Sequence, residues 1–241
     1  MPRLLTAFAD QARSCADLGS PFMAQLCDLF ATRLTPDMPL AARLFAWPGD
    51  LTPRAESVPL RVCGALHALR LEGRAGLAAA YPPNTVDDDT LWAAVTRALE
   101  TETAFIDRFI DSPPQTNEVR RSAALIAAGH VIHAHFPRPF RVSELGASAG
   151  LNLHWDRYAL DAGGQRFGPA DSPLVLSPDW DGPLPPTNSP QVVERRGVDL
   201  NPLDPHRDAL RLRAYLWPDP PHRLQLTDAA IAMAGEDVDR A

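Results

Sequence analysis

The stretch S-E-L-G-A-S-A-G-L-N-L at residues 143–153 most restricts what this chain can fold into. Phe140 to Leu145 alternates and is short, which predicts a strand. Gly146-Ala147-Ser148-Ala149-Gly150 is a turn of small residues, and Leu151 to Tyr158 reads as a helix. Val192 to Leu200 reads as a second strand, and the two strands frame an α/β region with a parallel sheet. A helix entered from a glycine turn offers free N–H groups and a dipole to an anion or polar ligand group. Small residues let a ligand come close to the backbone.

Three chemistries compete for this turn. In the first it holds S-adenosylmethionine: the first strand ends in an acid, Glu144, facing the amino-acid end of the cofactor. Gly146 and Gly150 give clearance; Ser148 lies in the same turn, and Asn152 opens the helix after it. Asp199, in G-V-D-L-N-P at 197–202, ends the second strand and would accept from both ribose hydroxyls. A minimal dinucleotide unit places its ribose acid about 20 residues after the loop, and an insertion at 158–191 accounts for the longer spacing here. In the second, G-A-S-A-G is a G-x-S-x-G nucleophile elbow with Ser148 as nucleophile, and Asp199 and His206 follow in order. Against it, the residues before the elbow read as helices, and no oxyanion-hole loop precedes it. In the third, nicotinamide or flavin dinucleotide binding, Ser148 stands where the fingerprint needs a second glycine. A tightly packed turn with Asp199 as a cap remains a fourth, purely structural alternative.

Composition removes other classes. All 23 basic side chains are arginine and lysine is absent, so P-loop, Schiff-base and Ser–Lys chemistry are excluded. A net charge of −7 gives no electrostatic reason to expect nucleic acid. No apolar run approaches a membrane span. Cys15, Cys27 and Cys63 form no CxxC pair, which argues against a disulfide framework or cysteine zinc site and predicts a reducing, cytoplasmic setting.

Before Pro137 the pattern is helical. Ser20 and Pro21 suit an N-cap and first helical position, Ser57 precedes another helix, and Asp87-Asp88-Asp89 opens a long one by capping and helix-dipole chemistry. This divides the chain into a helical region at 1–136 and an α/β region at 137–241. Twelve of the 25 prolines lie between Pro169 and Pro221. Within the insertion, Gly163-Gly164 predicts a hairpin.

Asn117 can cap a helix, or it and Glu118 can reach over the cofactor end of the sheet. Arg120 and Arg121 follow them. His130 and His133 share a helix face without a matching acid or cysteine, so no metal is assigned. Arg207 and Arg211 suit a solvated helix face, and Trp217 a core position, near enough to a pocket to stack on an adenine.

Together these segments resemble a bacterial family labelled only as a domain of unknown function, number twenty-three thirty-two. F-A-D-Q-A-R-S-C-A-D-L-G-S-P at 8–21, P-L-R-V-C-G-A-L-H at 59–67, Q-T-N-E-V at 115–119, E-L-G-A-S-A-G-L-N-L at 144–153 and L-W-P-D at 216–219 carry the resemblance. It implies a helical N-terminal region followed by a partial Rossmann-like, methyltransferase-like parallel sheet, with no named catalytic residue. It also implies a C-terminally shortened member. A central strand left without a neighbour is an exposed edge, so a homodimer covering that edge is one expectation. The expected partners are therefore the small-molecule cofactor, an unidentified methyl acceptor and a second copy of the chain. A non-catalytic binding protein on the same fold is the alternative.

Overall fold

The computed structural model describes residues 2–219 and 222–234. The chain forms two compact units, each assembled from two chain segments: Met1–Gln115 with Leu210–Pro221, and Thr116–Ala209 with His222–Ala241. Composition places the change of texture at Pro137, whereas the compact units divide at Gln115 and the chain returns to the first unit at Leu210. The reason is packing: the helix at 122–135 has its buried side on the sheet-bearing unit despite its helical sequence pattern.

The first unit is helical: α1 (Arg3–Asp17), α2 (Pro21–Arg33), α3 (Ala41–Phe45), α4 (Val58–Leu71), α5 (Asp88–Thr101) and α6 (Thr103–Phe109). Leu4, Ala7, Phe8, Ala12 and Cys15 recur at helical spacing and form the buried stripe of α1. Phe8 stacks on Phe30 of α2 with ring centroids 4.8 Å apart. α4 is the central helix, buried from Val58 to Leu69 apart from the partly exposed Leu60. Asp87 caps α5, its carboxylate accepting from Thr90 N. The three cysteines are free and buried, and the fold brings Cys27 Sγ to 3.8 Å from Cys63 Sγ although 36 residues separate them.

Two polar anchors tie this unit together. Ser20 caps α2 as expected, accepting from Met23 N. Asp219 joins it, accepting from Ser20 Oγ at 2.5 Å and from Phe22 N at 3.0 Å. Arg61 is buried and donates to Ile110 O at 2.9 Å, to Asp111 O at 3.0 Å and to Glu56 O at 2.6 Å. These carbonyls lie where α6 and a preceding loop end without further helical partners.

The second unit holds α7 (Ser122–His135), β1 (Phe140–Leu145), β2 (Ala159–Ala162), β3 (Gln165–Phe167), β4 (Val175–Leu176), β5 (Val192–Val198) and α9 (His222–Met233). The short α8 (Ala209–Ala214) carries the chain back to the first unit. β1 and β5 are parallel, with Glu144 opposite Gly197 and Leu145 opposite Val198. The insertion at 158–191 folds on itself: β2 and β3 form the expected hairpin on Gly163-Gly164, and β4 adds parallel to β2. β4 is two residues long inside a proline-rich stretch, too short to leave a periodic signal.

Among the described residues the parallel sheet has two strands. The chain is thus a mixed helix-and-sheet protein with a helical N-terminal region. Leu145, Val198 and Leu200 at one end of this sheet, Val193 at the other, and Leu125, Ile132 and Phe136 on and after α7, are exposed. No helix among the described residues is long and apolar enough to cross a membrane.

Candidate functional site at the glycine turn

The turn after β1 is built from three left-handed residues, Gly146 (φ +70°), Ser148 (φ +53°) and Gly150 (φ +73°). Two are glycines because a Cβ is strained there; the serine is held by its surroundings. Gly197 of β5 lets the turn settle onto the sheet, since a Cβ there would stand 2.8 Å from Ala147 Cβ.

Five backbone amides in and after the turn, those of Gly146, Ala147, Ser148, Gly150 and Leu151, are already bonded. Gly146 N and Ala147 N both donate to Val198 O, at 2.9 and 3.1 Å. Ser148 N donates to Asp199 Oδ2 at 2.8 Å, and Asn201 N to Asp199 Oδ1 at 2.8 Å. Gly150 N donates to Ala147 O at 2.7 Å, and Leu151 N to Asn117 Oδ1 at 2.9 Å. An anion cradle needs such amides free, so the pyrophosphate reading of this turn finds no donors at these positions.

The helix expected over Leu151–Tyr158 is instead a 3₁₀ segment, Leu151–Arg157, kinked at His154. Side chains take backbone groups along it: its first amide, which any helix leaves free, and two carbonyls that an α-helix would pair. Asn117 takes Leu151 N, Tyr158 Oη donates to Leu151 O at 2.6 Å, and Arg195 Nε donates to Leu153 O at 3.1 Å. Arg195 also grips Asp156 through Nη2, at 2.6 and 2.7 Å to its two oxygens. Asn152 is buried and accepts from Ser122 Oγ at 2.7 Å, which joins the segment to the start of α7.

The structure therefore brings Asn117, Glu144, Gly146, Ser148, Gly150, Asn152 and Asp199 to one turn, although 82 residues separate the first from the last. Their roles are unequal. Asn117 caps this segment rather than its own helix, and Asp199 fastens the turn to β5. Both signals were in the sequence; their partners were not.

Glu144 is different. Its Oε2 is buried and has no hydrogen-bond partner among the described residues. Burial pushes its carboxyl above the ordinary glutamate value, the Asp199 charge pushes the same way, and the Arg121 charge pulls against both. Beside it, a Cβ on Gly146 would meet no atom within 4 Å, so space is open at the turn.

Ser148 Oγ is also buried, without a partner among the described residues. Among the described residues no histidine hydrogen-bonds to it, and Asp199, the acid that the elbow reading needs, is bonded to amides. The acid–histidine–serine relay of a nucleophile elbow is not assembled in this geometry.

Other candidates resolve simply. No group of three His, Cys, Asp or Glu side chains among the described residues is placed to hold a metal. His130 is buried, burial lowers its pKa, and its Nδ1 pairs with Pro186 O at 3.1 Å. Arg207 pairs with Asp208, while Arg211 lies over the Phe109 ring at 4.8 Å. Trp217 packs against the core of the first unit.

Sequence reasoning missed Arg223. It donates to Glu118 Oε2 at 2.5 Å, and Arg120 Nε donates to Glu118 Oε1 at 3.1 Å, so one carboxylate holds two guanidinium groups. The two cations hold the Glu118 carboxyl below its ordinary value although burial opposes them. Arg223 sits 105 residues from Glu118, with no local pattern to announce the pairing.

The chain belongs to the family described as an uncharacterized protein conserved in bacteria (DUF2332), whose model matches residues 6–240. No curated protein and no solved structure matches it.

Proposed function

We propose that this protein binds S-adenosylmethionine at the β1–β5 end and is methyltransferase-like, with a methyl acceptor still to be assigned. One observation carries the reading: Glu144, at the C-terminal end of β1 beside the open Gly146, keeps a buried carboxylate oxygen without a partner. Such an atom is costly by about 1–3 kcal/mol unless a donor meets it. The α-ammonium of the cofactor is a donor of matching charge. Each oxygen of Asp199 accepts one amide and keeps lone-pair capacity for a ribose hydroxyl. Bound there, the cofactor supplies an activated methyl group; the protein's share is positioning, which needs no base. The parallel sheet, two strands among the described residues, favours a second reading, in which the site binds the ligand without transferring the methyl group.

Thermal shift with S-adenosylhomocysteine tests the reading. A ligand at 100 times its Kd stabilises by about 2.7 kcal/mol. Glu144→Gln removes a charge that folding buries, so the variant is expected to melt higher than wild type while losing the ligand-induced shift. Affinity is expected to fall as pH drops through the raised Glu144 pKa, because the ammonium needs the carboxylate. No shift in wild type at saturating S-adenosylhomocysteine would sink the cofactor reading. Binding without label transfer from methyl-labelled S-adenosylmethionine to any cell-extract component would select the second.

A further inference from the structure

The second unit contains a groove that none of the chemistry above uses. It has a volume of about 910 Å³ and lies among the start of α7, the segment around β4, and α9. Its floor is apolar: Ala123, Val175, Leu176, Leu226 and Ala229 line it. Its charged wall is Arg120 and Arg121, with Glu118 beside them on the lining.

The charge of that wall runs against the rest of the protein. The whole chain carries −7. At the groove, the Glu118 carboxylate holds two cations, Arg120 and Arg223. Arg121 adds another, since no carboxylate among the described residues forms an ion pair with it. Asp179 is the opposing acid on the lining. The shared carboxylate also orders the wall: Arg120 Nε and Nη2 both engage Glu118, at 3.1 and 3.2 Å, which limits where its remaining donors point. The planar guanidinium fork held in this way matches paired oxygens of a carboxylate or phosphate.

We propose that this groove binds an amphipathic anion, with a carboxylate or phosphate head on Arg120 and Arg121 and an apolar body along Val175, Leu176, Leu226 and Ala229. Its volume is in the range of small-molecule sites, which run from about 300 to 1,000 Å³. Lining of this kind, apolar with a few convergent charges, orients one end of a ligand and buries the other. Lysine could not substitute, because the chain has none; the recognition rests on the fork geometry of arginine. The proposal stands on the groove and does not depend on the cofactor reading. If both hold, the Arg121 charge that acts on Glu144 couples the two sites, and the anion is a candidate for the methyl acceptor.

The test is calorimetric titration of the full chain with octanoate, octyl phosphate, octylammonium and inorganic phosphate. Octanoate or octyl phosphate is expected to bind, the tighter of the two identifying the head group; octylammonium is expected not to bind, and inorganic phosphate to bind at least tenfold more weakly than octyl phosphate. The double variant Arg120→Gln/Arg121→Gln is expected to lose at least tenfold in affinity for the octyl anions. Ala229→Trp, which fills the floor and leaves the wall intact, is expected to lose octyl binding and keep the weak phosphate response. Octylammonium binding as tightly as the anions, or unchanged affinity in the double variant, would overturn the proposal, as would no heat with any octyl anion. The outcome is independent of S-adenosylhomocysteine, so failure of the cofactor reading and failure of the groove are read separately.

Discussion

At the scale of single residues, two glycines inside helices show why a local pattern understates a site. Gly64 lies in α4, where alanine would ordinarily gain up to about 1 kcal/mol. Here a Cβ would stand 2.5 Å from Cε1 of Tyr215. The ring is buried and edged against Phe109, with ring centroids 5.8 Å apart. Gly64→Ala is therefore expected to destabilise by about 1–3 kcal/mol, measured as the urea midpoint at constant m-value. Gly129 of α7 obeys the same logic against the Trp155 indole, 2.3 Å from its Cβ position. From the sequence these glycines read only as weak helix positions. The partners that require them lie 151 and 26 residues away, and no period links them. The turn at 146–150 is the opposite case. Its glycines announce themselves because their constraint is local, a left-handed backbone, and the same locality made Glu144 and Asp199 legible as candidates.

At the scale of elements, strands β1 and β5, the Gly163-Gly164 hairpin and the caps of α2 and α5 were all legible, since each follows from neighbours within a few residues. What sequence could not give was the segment after the turn, where a helix pattern yields to a 3₁₀ stretch. Asn117, Tyr158 and Arg195 decide that outcome from outside it. The L-W-P-D motif has the same character. Asp219 closes the N-terminus of α2 by accepting from Ser20 Oγ and Phe22 N. Asp219→Ala is expected to cost about 0.5–2 kcal/mol, the usual value of an N-terminal cap. Amide exchange would localise the loss: protection should fall first in the opening turn of α2 and stay unchanged in β1 and β5. Uniform loss across both units would contradict a capping role.

At the scale of the whole molecule, acid stability is set in part by His67. The imidazole of this α4 residue is buried, with Nδ1 3.2 Å from Ala214 O, and burial lowers its pKa from 6.5 to about 4. The folded chain thus holds it neutral. Above pH 6.5 the unfolded chain is neutral there too, and the contribution is fully present. As pH falls from 6.5 towards 4 the unfolded chain takes up a proton that the folded chain refuses, and stability drops, on the order of 3 kcal/mol for the full difference. Urea melts of wild type and His67→Gln at several pH values between 7 and 4 isolate this share. The variant is expected to lose that much less stability across the window, and parallel curves would refute the assignment.

The interleaving of the two units along the chain carries a consequence for biosynthesis. Residues 1–115 form most of the helical unit, yet the groups that complete it, Tyr215 beside Gly64 and Asp219 beneath α2, come only with the returning segment at 210–221. A ribosome adds roughly 5–20 residues per second, so the helical segment waits on the order of 5–20 seconds for its last pieces while the intervening unit is translated. Throughout that interval the cleft at Gly64 and the N-terminus of α2 stand open on the nascent chain, which makes the early translation product, and not the finished protein, the natural client of chaperones that grip exposed apolar surface.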